Sequence, residues 1–241
     1  MMVQMKSFTL IKLGGSIIVP HLTDADGIDV PFLNAFRKLL LRELRKEKKI
    51  VLVAGGGRTA RVYQKAAREL AKSGNDSLDW IGIHAIYLNA YLLKALFGEN
   101  SYEEILTSDL SSRKVASMKM SSKGIVVSSG WMPGWSTDYV AVRLAQKFGA
   151  KEFIDAGDID FVYDKDPKVF KDAKPIKELS WAEYRKLIPA KWTPGLASPI
   201  DPVAAKLAQK ANITAKILKG TDLENLKKAI EGKEFTGTLI S

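Results

Sequence analysis

The chain has 241 residues, 46% of them hydrophobic and 27% charged, with a formal net charge of +10. That is an ordinary globular composition, with material for one large α/β domain or two small lobes. The absence of cysteine excludes disulfides, thiolate metal sites and cysteine nucleophiles, and His21 and His84 alone give no basis for a multi-histidine metal centre.

No run approaches the roughly 20 apolar residues of a membrane span, and Met1–Lys6 lacks the apolar region of a signal peptide. A cytoplasmic location and no membrane partner are expected. The basic excess suits polyanions. Runs such as Arg42-Glu43-Leu44-Arg45-Lys46-Glu47-Lys48-Lys49 read more simply as solvated helix faces. Nucleic acid is therefore not the expected partner, and small phosphorylated ligands suit a basic pocket equally well.

A strand is expected at 8–13, ending in Gly14-Gly15-Ser16. The Asp/Gly-rich loop 23–27 leads to a helix at 31–47, with Pro31 in its first turn. A second strand at 50–54 meets Gly55-Gly56-Gly57, and helices follow at 58–72 and 78–97, separated by Ser73-Gly74-Asn75-Asp76. Strands are expected at 104–107, 113–117 and 124–128, the last meeting Gly130-Trp131-Met132-Pro133-Gly134-Trp135-Ser136-Thr137 before a helix at 138–148. A strand at 151–155 runs into Ala156-Gly157-Asp158, and a helix at 180–188 precedes Trp192-Thr193-Pro194-Gly195. A helix at 201–211, capped by Asp201 and opened by Pro202, a strand at 214–218, a helix at 222–231 and a strand at 236–240 complete the chain.

Strand–helix alternation specifies a mostly parallel sheet with helices on both faces, a three-layer αβα sandwich. Ligands in such sheets lie beyond the carboxyl ends of the strands. Four glycine- or aspartate-rich loops follow expected strands and can share that edge. Glycines admit close backbone approach to an anion, and the next helix offers its positive end. Two such bends in one sheet suit phosphoryl transfer between two phosphorylated groups. No Walker A, GxGxxG or Gly-x-Ser-x-Gly pattern is present.

Lys12 lies in an apolar strand two residues before Gly14. It either meets an anionic ligand or faces solvent from an edge strand. Arg61, or Arg58 in its place, can turn back toward a phosphate at the helix start, or can simply be solvated. Asp138 either caps the helix it begins or orients Lys12 or a magnesium ion. Phosphoryl transfer needs positioning and charge neutralisation more than covalent chemistry. A phosphate acceptor needs no general base.

These motifs, in this order, resemble the amino acid kinase superfamily and within it the archaeal-type uridylate (UMP) kinases. The resemblance rests on Lys12-Leu13-Gly14-Gly15-Ser16, Ala54–Arg61, Asp79-Trp80-Ile81-Gly82-Ile83 with Leu88-Asn89-Ala90, Pro133–Asp138, Asp160–Pro167, Ile200–Lys206 and Thr236-Gly237-Thr238. It implies one amino acid kinase domain over 1–241, acceptor-binding at 1–150 and ATP-binding at 151–241, with Mg²⁺ carried by the nucleotide phosphates and no certain protein metal ligand. It implies transfer from ATP to UMP in pyrimidine biosynthesis, by a homo-oligomer built from dimers, up to a hexamer.

By position, Lys12, Arg61 and Asp138 are the implied catalytic residues. Lys12, Gly14, Gly15, Ser16, Gly57, Arg61, Gly157, Asp158, Tyr163 and Asp166 fall to ATP. Gly55, Gly56, Asp79, Gly82 and the loop Gly130, Trp131, Met132, Pro133, Gly134, Trp135, Ser136 and Thr137 fall to UMP. The chain departs from the archaeal pattern at Ile86-Tyr87, at Trp131, Met132 and Trp135, and at Asp158–Phe161, mostly in the acceptor half. Trp131 and Trp135 either stack on a base or pack the loop. Other acceptors on the same fold, small phosphates or carboxylates, and a non-catalytic nucleotide-storage role are the alternatives.

Overall fold

The computed structural model describes residues 8–21, 27–191 and 198–241. Expectations for Met1–Lys6, for residues 23–26 and for Trp192–Gly195 lie outside them. At the centre is β1 (Phe8–Leu13), paired in parallel with β2 (Lys49–Ala54) on one side and β4 (Glu152–Gly157) on the other. Parallel β3 (Ile125–Ser128) flanks β2, and parallel β8 (Thr214–Lys219) flanks β4. An antiparallel β9 (Thr238–Ile240) and then β7 (Glu178–Leu179) finish the far edge. β2 and β3 are buried along their whole length, as strands covered on both faces must be.

Helices cover both faces. One face buries Leu10, Val53 and Phe153 under α5 (Ser112–Met120), α6 (Thr137–Phe148), α7 (Trp181–Leu187) and α8 (Pro202–Ala211). The other buries Ile11, Leu13 and Leu52 under α1 (Gly15–Ile18), α2 (Val30–Arg45), α4 (Asn75–Phe97) and α9 (Leu223–Ile230). The helix α3 (Gly57–Ala71) lies outside α4 and buries only Ala60. A two-residue-stranded hairpin, β5 (Val162–Tyr163) with β6 (Pro175–Ile176), projects after β4.

The three-layer αβα expectation holds. Two expected strands do not. Residues 113–117 belong to α5, where Val115 and Met118 are buried at helical spacing and Ser111 caps the first turn. Residues 104–107 contribute only an isolated bridge, Leu106 to Ser128. The reading of the apolar runs also underrated α4. Asn75–Asn100 is long and apolar enough by length and composition to cross a membrane, an 18-residue window within it having mean hydropathy 1.3. One side of α4, including Leu78, Ala90, Leu93 and Phe97, is buried in the protein.

After β1 the chain adds β2 and β3 on one side, then crosses to β4 on the other. Strand order therefore reverses beside β1, which is where open α/β sheets bind ligands.

Candidate active site

The glycine bends meet at that reversal. β1, β2, β3 and β4 are mutually parallel, so the loops after Leu13, Ala54, Ser128 and Gly157 all leave the same edge. The first two interlock. A Cβ on Gly15 would collide with Gly57 N and Gly55 O, and a Cβ on Gly57, whose φ is +62°, would collide with the Gly15 backbone. Only glycine allows this approach. A Cβ on Gly14 would sit 3.3 Å from Gly157 Cα, which brings in the third bend. Asn89 on α4 donates to Gly55 O at 2.7 Å and holds the second bend in place.

The expected backbone donors are only partly free. Gly14 N–H goes to Ala156 O at 2.9 Å and Gly55 N–H to Leu13 O at 2.9 Å, because each still belongs to a sheet ladder. Those two glycines offer close packing instead of a donor. The starts of α1 and α3 differ from most helices here. Six of the described helices, α2 and α5 to α9, have a side-chain cap. α1 and α3, both opened by rim glycines, have none, and α4 is the other. The N-terminal N–H groups of α3 are thus left for water or an anion. Arg58 and Arg61 stand exposed on the first two turns of α3, with no ion pair among the described residues.

Lys12 lies on β1 two residues before the first bend. Its Nζ lies 2.9 Å from Asp138 Oδ1 and 3.0 Å from Asp155 Oδ1, and its side chain is 14% exposed. Asp138 sits at the start of α6 but does not cap it. Ser136 does, accepting from Tyr139 N–H at 3.0 Å. The carboxylate of Asp138 is therefore directed to Lys12, and its Oδ2 also accepts from Asp201 N–H at 3.2 Å. Asp201 caps α8 through Val203 and Ala204 N–H, and its other oxygen pairs with Ser136 Oγ. Tyr184 braces the same segment by hydrogen bonds in both directions with Ile200.

Burial opposes charge on Lys12, but Asp138 and Asp155 outweigh it and hold the ammonium well above the ordinary lysine pKa. Burial lifts the Asp155 carboxyl to about 6, Lys12 opposes the rise, and Asp138 and Asp158 add to it. Burial raises Asp201 as well, with Asp138 contributing. The sequence reading missed Asp155. The available signal was an acid inside the apolar run Phe153-Ile154-Asp155-Ala156, matched in register to Lys12.

On the β2–β3 side, Asp79 Oδ2 accepts from Gly134 N–H at 2.8 Å, which ties α4 to the Gly130–Thr137 loop. Burial raises this carboxyl, Gly134 opposes the rise, and Asp76 adds to it. Ile86 is wedged between Gly56 and Gly130, 3.2 and 3.1 Å from where their Cβ atoms would be. Gly82 lets Gln64 of α3 cross α4. Trp131 takes the packing alternative. Its ring is in the core, 6% exposed, with Nε1 donating to Ser128 Oγ at 3.1 Å. Trp135 is half-buried between Trp131 and Tyr139, while Met132 and Gly134 are exposed.

On the β4 side, Gly157 O accepts from Gly220 N–H at 2.7 Å, and Lys219 Nζ pairs with Asp158 O. Tyr163 OH donates to Asp160 Oδ1 at 3.0 Å, and its ring meets Phe161 edge-on. Asp166 accepts from Lys168 N–H at 2.9 Å, so it shapes its own turn. These residues gather around the β5–β6 hairpin, apart from the Asp79–Gly134 contact across the sheet.

A parallel sheet with uncapped helix starts, interlocked glycine bends and an ion-paired lysine at its switch point has the form of a phosphoryl-transfer fold. Residues 7–219 match the Amino acid kinase family, and the chain belongs to that family. The uridylate kinase of Hyperthermus butylicus is 38% identical over 80% of this chain and 83% of its own length. That of Thermoplasma volcanium is 36% identical over 98% of both. A crystal structure of the uridylate kinase from Archaeoglobus fulgidus superposes with a TM-score of 0.77, at 29% identity, covering 97% of this chain and all of that one.

Proposed function

We propose that this chain is a UMP kinase, transferring the γ-phosphoryl group of ATP to UMP to give UDP and ADP. The observation that carries the reading is the Lys12 ammonium, fixed by Asp138 and Asp155 where the interlocked glycine bends meet. The archaeal uridylate kinases matched over nearly the full chain support UMP as acceptor.

Lys12 has three N–H donors, of which two are engaged by carboxylates. The third is free for an oxygen of the transferred group. A charge-assisted hydrogen bond there strengthens as negative charge shifts during transfer. The uncapped start of α3 supplies further donors, from Gly57 and Arg58, and Arg61 adds an exposed cation. Residues 1–150 take the acceptor, with Asp79 holding the Gly130–Thr137 loop in place over UMP. Residues 151–241 take ATP, with Gly157, Asp158, Tyr163 and Asp166 around its nucleoside. Ser16, Gly14 and Gly15 lie toward its phosphates.

Among the described residues no group of three acids or histidines is arranged to hold a metal ion. Mg²⁺ characteristically binds through phosphates with one or two carboxylates. A magnesium ion carried by the ATP phosphates would neutralise phosphate charge during transfer. The protein works in the cytoplasm as an oligomer built from dimers. Exposed apolar side chains on α4 (Trp80, Leu88 and Tyr91) and on the adjoining α3 (Tyr63 and Leu70) support an interface there.

Transfer of label from γ-labelled ATP to a panel of acceptors tests the reading. The panel holds UMP, CMP, AMP, acetylglutamate, isopentenyl phosphate and carbamate. Label in UDP is the expected result. Label in another acceptor alone, or nucleotide binding without transfer, overturns it.

A further inference from the structure

Asp155 belongs to none of the motifs that carry the family resemblance, yet it makes one of the two ion pairs of Lys12. We propose that Asp155 is a positioning residue for the reaction, fixing the Lys12 ammonium jointly with Asp138 so that its remaining N–H points at the transferred phosphoryl group. The inference rests on the kinase reading above.

The geometry is that of a two-point clamp. Lys12 and Asp155 are register partners on adjacent parallel strands, so their side chains leave the same face of the sheet side by side. Asp138 approaches from α6, which packs on that face. A lysine side chain has four rotatable bonds and loses substantial rotamer freedom when held. One carboxylate fixes a distance from Nζ and leaves the ammonium free to swing about that contact. A second, on a different element, removes the swing. Asp155 is suited to this because its side chain is 4% exposed and anchored within a six-residue strand.

The charges have a second consequence. Lys12 from β1, Asp138 from α6 and Asp158 after β4 act on the Asp155 carboxyl, Tyr184 of α7 feels its charge, and Lys219 of β8 is engaged by the Asp158 carbonyl. Acids outnumber the single ammonium, and the carboxyl of Asp155 is lifted to about 6. Its proton is therefore exchanged in a range where the kinase can be assayed. Protonation removes one of the two charges that hold Lys12.

The test is a comparison of wild type with Asp155→Asn, which keeps size and one acceptor oxygen, and with Asp155→Ala. The readouts are kcat, KM for ATP and UMP, their pH profiles and thermal stability. The expected result is a kcat lower by about 10- to 100-fold in Asp155→Asn. KM for UMP should stay within a few-fold, with no loss of melting temperature. Wild-type kcat should fall on acidification through the Asp155 titration toward the Asn variant's level, and the Asn variant should lack that limb. Asp155→Ala should resemble Asp155→Asn in kcat. A purely structural Asp155 would leave the pH profile unchanged. Wild-type kcat and pH profile in Asp155→Asn, with the wild type transferring phosphoryl to UMP, overturn this inference alone. No transfer by the wild type to any acceptor overturns the kinase reading and this inference with it.

Discussion

Lys12 and Asp155 face each other across two adjacent parallel strands, and their charged ends meet at 3.0 Å. With Asp138 at 2.9 Å, the ammonium is shared by two carboxylates at the point where strand order reverses. A buried ion pair gains little over well-packed apolar groups. Its presence at a ligand-binding edge is better explained by chemistry than by stability. The consequences for variants follow from which partner is left alone.

Lys12→Met leaves Asp138 and Asp155 buried without their cation. Activity should fall by at least about 100-fold. Stability should fall by about 3–5 kcal/mol near pH 8. The folded pKa of Lys12 is raised, so its charge stabilises the fold throughout the range below the ordinary lysine value, and this is what the variant loses. On acidification the Asp155 carboxyl takes up a proton, and the deficit against wild type should shrink. Thermal melts from pH 4.5 to 8.5 check the slope.

Asp155→Asn has the opposite stability profile. The folded pKa, about 6, lies above the ordinary value of 3.8, so between these pH values the folded state holds the extra proton. Stability from this group is therefore lost as pH rises through that window. The Asn variant escapes the loss. It should match wild type near pH 4 and equal or exceed it by up to about 3 kcal/mol at pH 7.5. Denaturant midpoints at both pH values measure this.

Arg61 is exposed and has no ion-pair partner among the described residues. Arg61→Ala should change stability by less than about 0.5 kcal/mol. Turnover should drop by about 100-fold if its guanidinium meets the transferred group. Paired melts and initial rates separate the two effects, and near-wild-type turnover would refute the placement.

Gly15→Ala puts a methyl group into the backbone of Gly57 and Gly55. It should cost about 3 kcal/mol and abolish transfer, because the two bends must part. Gly74→Ala, where nothing lies within 4 Å and φ is −72°, should stay within about 1 kcal/mol and keep activity. Chemical denaturation of both variants checks the contrast.

Much of this was legible in the sequence because it is local. The apolar runs at Thr9–Leu13 and Ile50–Ala54 each lead into glycine, and both are strands whose ends share one edge. Asp201-Pro202 opens α8 as its capping chemistry specifies. What was not legible depends on register and on competition between nearby groups. Asp155 acquires its meaning only when β4 pairs with β1. For Asp138 the sequence left a cap and a partner of Lys12 both open, and the choice falls to Lys12 because Ser136, two residues earlier, takes the cap. Gly14 and Gly55 looked like donors, but their N–H groups remain committed to the strands they end. The segment at Arg113–Ser117 has a single β-branched residue, Val115, which is buried at helical spacing with Met118 just beyond it.

The most direct test of the account is a crystal structure of this protein with a non-hydrolysable ATP analogue and UMP. The account requires both phosphate groups at the carboxyl edge of β1 and β2, with Lys12 Nζ still on Asp138 and Asp155 and within hydrogen-bond distance of a phosphate oxygen. Nucleotides bound at the opposite edge of the sheet, or a Lys12 ammonium that contacts neither phosphate, would contradict it.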